Sequence, residues 1–170
     1  MINIMRLGHR IHRDIRITTH LALTARAFLA DNFYYTGQRD KKFEESISKI
    51  NERWGSNFKV FYLEDHKKFL SKDKSLKVHL TVYGSLMKEK IKQIKSHKDI
   101  TIIVGGQKVP PDIYQLTDLN VSITTQPISE ISALSILLNE IFEGKALSNS
   151  FSDAKLKIIP QERGKKIIKG

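Results

Sequence analysis

The sequence predicts a single α/β domain over residues 1–170, built on a mainly parallel β-sheet, with a basic C-terminal tail over residues 160–170. Short apolar runs typical of strands alternate along the chain with longer runs of helical periodicity, which favours a parallel sheet with crossover helices. The length of 170 residues suffices for one hydrophobic core, and a hydrophobic content of 40% is too high for a disordered basic chain.

The predicted strands are short and rich in β-branched and aromatic residues. They cover residues 1–7, 33–36, 58–62, 76–83, 100–104, 119–123 and 156–159. The predicted helices show apolar residues at helical spacing, often after a capping residue. They cover residues 20–29, the stretch between a cap at Asp40 and a stop at Gly55, and residues 66–70, 85–96, 110–116 and 129–142.

Charge predicts the partner. The net charge is +11. Nucleic acid is the commonest binding partner of so basic a protein, and an anionic membrane surface is the second. The alternative is that the lysine enrichment reflects compositional drift and serves no binding function. The lysines are scattered in a way that favours a solvated surface. The arginines concentrate in residues 6–20, which hold four arginines and three histidines against the single acid Asp14. We interpret this segment as a loop that grips a polyanion, because arginine presents a planar fork of donors to phosphate.

Other classes of protein are disfavoured by what the sequence lacks. No apolar run approaches the roughly 20 residues that span a bilayer, and no secretory signal or cysteine is present. We therefore expect a cytoplasmic protein without a membrane partner. His9 and His12 lie among arginines without a carboxylate cluster, so we expect no metal.

Three segments follow predicted strands and are candidates for a ligand site, because ligands bind beyond the carboxyl ends of parallel strands. They cover residues 80–84, 105–110 and 124–130. Gly105-Gly106 alone is more typical of a tight turn, and neither a dinucleotide-binding nor a Walker glycine motif occurs.

Several motifs occur in a characteristic order over nearly the whole chain: RLGHR (6–10), RITTH (16–20), ARAF (25–28), KVHLT (77–81), KVP (108–110), QPISE (126–130) and EGK (143–145). Together they resemble the archaeal tRNA cytidine-56 2'-O-methyltransferases of the SPOUT superfamily. The resemblance implies helices on both faces of the sheet, a C-terminal deep trefoil knot and a homodimer. It also implies methylation of the 2'-oxygen of cytidine 56 in the T-loop of tRNA, with S-adenosyl-L-methionine as methyl donor.

The resemblance also implies roles for individual residues. The cofactor would contact Leu80, Gly105, Gly106, Gln107, Lys108, Val109, Thr124, Thr125, Gln126, Pro127, Ile128, Ser129, Glu130 and Ile131. The RNA would contact Arg6, His9, Arg10, Arg13 and Arg16. Arg16 is the first candidate to act on the 2'-hydroxyl, followed by Arg10 and His20, and stabilisation of developing charge suits arginine better than base catalysis does.

The chain departs from the family pattern in three places. Leu29 stands where the family usually has Gly, Thr124-Thr125 replaces Gly-Asn, and Ile128 replaces a His. Ile128 carries no titratable group, so position 128 is not an essential base here. Two alternatives remain open at this point: a methyltransferase with another RNA target, and a non-catalytic RNA-binding protein on the same scaffold.

Overall fold

The computed structural model describes residues 1–106 and 108–170 and has a six-stranded sheet at its centre. The strands of this sheet are β1 (Ile2–His9), β2 (Asn32–Gly37), β3 (Lys59–Tyr62), β4 (Leu76–Leu86), β5 (Ile100–Val104) and β6 (Leu119–Ser122). Their order across the sheet is β3-β2-β1-β5-β4-β6, and every neighbouring pair is parallel, which confirms the predicted sheet.

In residues 1–106 and 108–170, six α-helices connect or follow the strands. They are α1 (Ile11–Ala27), α2 (Lys41–Trp54), α3 (His66–Lys72), α4 (Met87–Lys95), α5 (Ile113–Leu116) and α6 (Glu130–Ile141), with a 3-10 helix at Lys145–Ser148. The larger core packs one face of the sheet against α1, α2, α4 and α6, through residues such as Leu21, Ile47, Ile94 and Leu134. A smaller core of Met5, Leu7, Leu70, Ile103 and Ile113 packs the other face against α3 and α5. The prediction of helices on both faces is therefore confirmed.

The main correction concerns the arginine-rich segment, which is not a loop. β1 continues to His9 and α1 begins at Ile11, nine residues before the predicted start at His20. The helix forms because Asp14 accepts hydrogen bonds from the Arg10 backbone N–H (3.1 Å) and from Arg10 Nε (2.7 Å). Asp14 thereby compensates the positive charge of the first turn and satisfies a donor that a helix N-terminus leaves unpaired.

The predicted helix start at Ser85 is also wrong. β4 continues to Leu86 through a bulge, and α4 begins at Met87. At the C-terminus the basic tail contains a strand that the sequence did not indicate. β7 (Leu156–Ile159), which was predicted, pairs antiparallel with β8 (Lys166–Lys169) in a separate two-stranded sheet.

Candidate active site at the carboxyl ends of the central strands

A cavity of about 720 Å³ lies at the carboxyl edge of β4, β5 and β6. Strand order reverses direction beside β1 and β5, and such a switch point is where open α/β sheets bind ligands. The cavity is lined by His79, Leu80, Thr81, Val82, Tyr83, Val104, Gly105, Gly106, Lys108, Val109, Pro110, Pro111, Tyr114, Val121, Ile123, Ile128, Glu130 and Ala133. Apolar side chains dominate these walls, with a few polar groups among them, as is usual for small-molecule sites.

A bulge in β4 forms one wall. Leu80 and Ser85 both align with Val121 of β6, so the residues between them leave the ladder. Gly84 makes this bulge possible, because a Cβ atom there would lie 2.5 Å from the carbonyl carbon and oxygen of Asn120. The bulge presents Tyr83, whose side chain is 84% exposed, at the cavity rim.

The end of β5 forms the second wall, where the two glycines allow close packing. A Cβ atom on Gly105 would lie 2.0 Å from Val109 Cγ2, so the returning chain packs directly on the Gly105 backbone. Glycine at position 105 is therefore needed for close packing, whereas an isolated Gly-Gly in a sequence indicates only a tight turn. Gln107, predicted to contact the cofactor, lies outside the described residues.

The loop before α6 forms the third wall. The Ser129 side chain caps α6 by accepting a hydrogen bond from the Ser132 N–H (3.2 Å). Ile128 lies in the wall and packs against the larger core, and Glu130 follows it in the first helical turn. Thr124 and Thr125 keep negative φ, so the loop accommodates them where the family pattern has Gly-Asn.

Arg6 contacts both the wall at the end of β5 and the wall formed by the start of α6. Its side chain is only 2% exposed, and its Nη1 donates a hydrogen bond to the backbone carbonyl of Gly105. The same nitrogen lies 3.5 Å from Glu130 Oε1. Burial lowers the pKa of Arg6, although the Glu130 carboxylate acts in the opposite direction.

A polar pair lies under the cavity on the β4 side. His79 is fully buried, and its Nδ1 is 2.8 Å from Asn120 Oδ1, while the Asn120 amide donates to the Tyr114 carbonyl (2.9 Å). That orientation of the amide places the proton of the neutral imidazole on Nδ1. Burial lowers the pKa of His79, so the ring is neutral near pH 7.

The predicted RNA-contacting residues fall into two groups. Arg6 and His9 are buried, at 2% and 0% exposure, and therefore offer no surface to a polyanion. The His9 ring lies between Thr18 Oγ1 (2.9 Å from Nδ1) and Asp40 Oδ2 (3.5 Å from Nε2), and burial lowers its pKa.

The other group is exposed. Arg10, Arg13, Arg16 and His20 all lie on the surface of the α1 region. Arg13, Arg16 and His20 are spaced by three and four residues and so share one face of the helix. None of these four residues is among the described residues that line the cavity.

Seven of the predicted cofactor residues line the cavity: Leu80, Gly105, Gly106, Lys108, Val109, Ile128 and Glu130. Thr124, Thr125, Gln126, Pro127, Ser129 and Ile131 lie in the same loop and helix start but outside the lining. Sequence reasoning missed the structural role of Arg6, as well as His79 and Tyr114. The one signal for Arg6 was a cation inside a strand of mostly apolar residues.

Within residues 1–106 and 108–170, no group of three or more His, Asp or Glu side chains is placed to hold a metal ion. In the same residues, no helix is both long and apolar enough to cross a membrane.

Solved structures with a similar fold include RNA methyltransferases described as SpoU or TrmH enzymes. The A. aeolicus TrmH/SpoU tRNA modifying enzyme matches with a TM-score of 0.61 at 15% identity, over 85% of this chain and 75% of that one. The SpoU methyltransferase AviRb from Streptomyces viridochromogenes, in complex with AdoMet, matches with a TM-score of 0.61 at 12% identity, over 87% of this chain but only 58% of that one. The chain therefore has the α/β fold of these two enzymes.

Sequence comparison identifies the family. A family model described as tRNA ribose 2'-O-methyltransferase, aTrm56, matches residues 54–168. The tRNA (cytidine(56)-2'-O)-methyltransferase of Archaeoglobus fulgidus is 47% identical over 167 residues, covering 98% of each chain. That of Pyrococcus horikoshii is 45% identical over 172 residues, covering 99% of this chain and 85% of the relative. The chain therefore belongs to the tRNA ribose 2'-O-methyltransferase family, as the sequence motifs predicted.

Proposed function

We propose that this protein transfers a methyl group from S-adenosyl-L-methionine to the 2'-oxygen of cytidine 56 in the T-loop of tRNA. The observation that carries the proposal is the cavity beyond β4, β5 and β6, in a chain 47% identical to an enzyme named for this reaction. We expect the protein to act in the cytoplasm, and the homodimer and trefoil knot remain predictions from the resemblance.

The cavity suits such a cofactor. Its volume of about 720 Å³ falls within the roughly 300–1,000 Å³ of small-molecule sites. Leu80, Val109 and Ile128 give it apolar surface for a nucleoside, and Glu130 gives it one carboxylate for a cationic group. When bound, the sulfonium cofactor supplies an already activated methyl group, so the protein mainly aligns the reactants and helps the hydroxyl lose its proton.

Exposed arginines supply the RNA contacts in this proposal. Arg10, Arg13 and Arg16 stand at the surface of the α1 region, where their guanidinium groups can meet phosphates. Arg10 also pairs with Asp14, which raises the pKa of the arginine and secures its charge. Arg16 remains the first candidate to stabilise charge on the 2'-oxygen, with Arg10 and His20 next. Arg6 and His9, being buried, are no longer proposed as RNA contacts.

Ile128 constrains how the proton leaves. Its side chain lines the cavity and packs on the core, and it carries no group that accepts a proton. We therefore propose that the hydroxyl proton passes to a phosphate oxygen of the RNA or to water, while an arginine stabilises the resulting charge.

The test is methyl transfer from labelled S-adenosyl-L-methionine to a tRNA transcript, with the modified nucleotide mapped by mass spectrometry. We expect label on cytidine 56 and none on a transcript with 2'-deoxycytidine at that position. Label elsewhere would give the protein another RNA target. Absence of cofactor binding in calorimetry would favour a non-catalytic RNA-binding protein.

Arg16→Ala separates RNA contact from cofactor binding. We expect turnover to fall by at least about a hundredfold, the scale of losing one positioned charge-stabilising group, with cofactor affinity nearly unchanged. Arg53→Ala is the matched control, because Arg53 is an exposed arginine on α2. Loss of cofactor binding in Arg16→Ala would remove Arg16 from the RNA site.

A further inference from the structure

The buried guanidinium of Arg6 contacts segments that leave two different strands. Arg6 lies in β1 beside Val104 of β5, between the core residues Met5 and Leu7. It is among the largest side chains in the protein that are almost completely buried. A charged group in such a place is costly unless it is paired and hydrogen-bonded.

Among the described residues, the hydrogen bond and the ion pair of the Arg6 guanidinium both reach the cavity walls. Nη1 donates to the Gly105 carbonyl after β5 and lies 3.5 Å from the Glu130 carboxylate in the first turn of α6. A Cβ atom on Gly106 would lie 3.4 Å from Nη2, so the guanidinium packs closely on this backbone. One planar group therefore determines the separation between the β5 wall and the start of α6.

Stability alone does not account for an arginine here. Replacing a buried ion pair by apolar residues of similar volume is often neutral or stabilising, because desolvation costs about as much as the pairing returns. The neighbouring positions Met5 and Leu7 in β1 are apolar, and Glu130, at 29% exposure, is half-buried and keeps partial contact with solvent. The pair is thus better explained by the positions that it imposes on Gly105 and Glu130 in the cavity walls.

We propose that Arg6 is a positioning residue of the methyl-donor pocket, which holds Gly105-Gly106 and Glu130 at the spacing that the cofactor requires. This inference rests on the proposed function. In the described part of the chain, the Glu130 carboxylate has no other ion-pair partner. Its second oxygen is available for a cationic or hydrogen-bond-donating group of the ligand, such as an ammonium.

The experiment is titration of S-adenosyl-L-methionine into the full-length protein by calorimetry, with thermal unfolding of each variant measured in parallel. Arg6→Met keeps the stem and removes the charge. We expect its Kd for the cofactor to rise about tenfold or more, the scale of losing a charge-assisted hydrogen bond, together with a loss of thermal stability, because Gly105 and Glu130 lose their buried partner. Glu130→Gln should weaken binding too. In the double variant the increase in Kd should be smaller than the product of the two single increases, because both residues act through the same pair.

Arg26→Met is the matched control. Arg26 is likewise buried, at 8% exposure, and donates to a backbone carbonyl, that of Gly55, and to Asn51 Oδ1 (3.0 Å). These contacts lie away from the cavity lining, so this substitution should lower stability without changing cofactor affinity. If the role of Arg6 were merely structural, Arg6→Met would likewise lower stability and leave cofactor affinity unchanged.

Distinct results separate the possible failures. Cofactor affinity of Arg6→Met within twofold of the wild type would overturn the proposal, as would reduced tRNA affinity with cofactor affinity intact. Wild-type protein that binds no S-adenosyl-L-methionine would instead overturn the proposed function. If Arg6→Met does not fold, Arg6→Lys decides: a lysine keeps the charge but not the two-sided fork, so we expect weakened binding, and unchanged binding would overturn the proposal.

Discussion

One half of the sheet's carboxyl edge is filled by buried polar side chains, whereas the other half is an open cavity. Beyond β1 and β2 the edge is filled: His9 bonds Thr18, and Asp40 caps α2 by accepting from the Phe43 N–H (3.0 Å). Tyr35 adds a hydrogen bond to Glu44 (2.6 Å). Beyond β4, β5 and β6 the edge is a cavity of about 720 Å³.

The filled half and the open half of the edge make different contributions to the protein. In the filled half, hydrogen bonds from Tyr35 to Glu44 and between His9 and Thr18 hold α1 and α2 at the strand ends. Burial raises the pKa of Tyr35 and lowers that of His9. In the open half, backbone and a few side chains face space that a ligand can occupy. Substitutions in the filled half should therefore act on stability, and those in the open half on cofactor binding.

The largest effect is expected for His9→Ala in the filled half. Loss of the buried ring removes the hydrogen bond to Thr18 and opens a cavity beside Asp40, which should lower the free energy of unfolding by about 2–4 kcal/mol. Urea denaturation measures this change, with the exposed His12→Ala as control. A large loss of cofactor affinity in the still folded variant would contradict the division between the halves.

The next effect concerns Gly84→Ala in the open half. The added methyl would lie 2.5 Å from the Asn120 carbonyl and the Val121 nitrogen, so the β4 bulge must shift. We expect the Kd for S-adenosyl-L-methionine to rise about tenfold, since the bulge forms a cavity wall. The exposed neighbour Ser85→Ala should bind normally, and normal binding by Gly84→Ala would show that the bulge does not shape the site.

The filled half contains the buried His9 and the open half the buried His79, and both should contribute to the pH dependence of stability. Burial lowers the pKa of both below the usual 6.5, so below about that pH the unfolded chain binds more protons than the folded protein. The free energy of unfolding should therefore fall as the pH is lowered from about 7.5 to 5.5. Urea denaturation of His79→Gln should show a shallower fall, and an identical slope would exclude a contribution from His79.

The smallest effect is expected outside both halves, at Leu29. This residue follows α1 with φ 65°, and the Leu29 and Ala30 N–H groups donate to the Arg26 and Ala25 carbonyls in a Schellman motif. Leu29→Gly should raise the free energy of unfolding by about 0.5–1 kcal/mol, because glycine adopts this conformation without strain. Thermal unfolding measures the change, Ala30→Gly is the control, and a lower melting temperature for Leu29→Gly would contradict the expectation.

The alternation of strands and helices, the family and most of the segments around the cavity could be predicted from the sequence. Those features depend on local patterns, such as apolar runs, capping residues and motifs. Asp40 was correctly predicted as a helix cap, and Ser129 as the start of α6, because capping depends on residues within one helical turn.

Which arginines and histidines of the N-terminal segment meet solvent could not be predicted and is known from the folded structure alone. Arg6 and Arg10 belong to the same basic motif, yet one is enclosed by Gly105 and Glu130 and the other is exposed. The physical reason is that burial depends on partners about a hundred residues away along the chain, which charge patterns and periodicity do not encode.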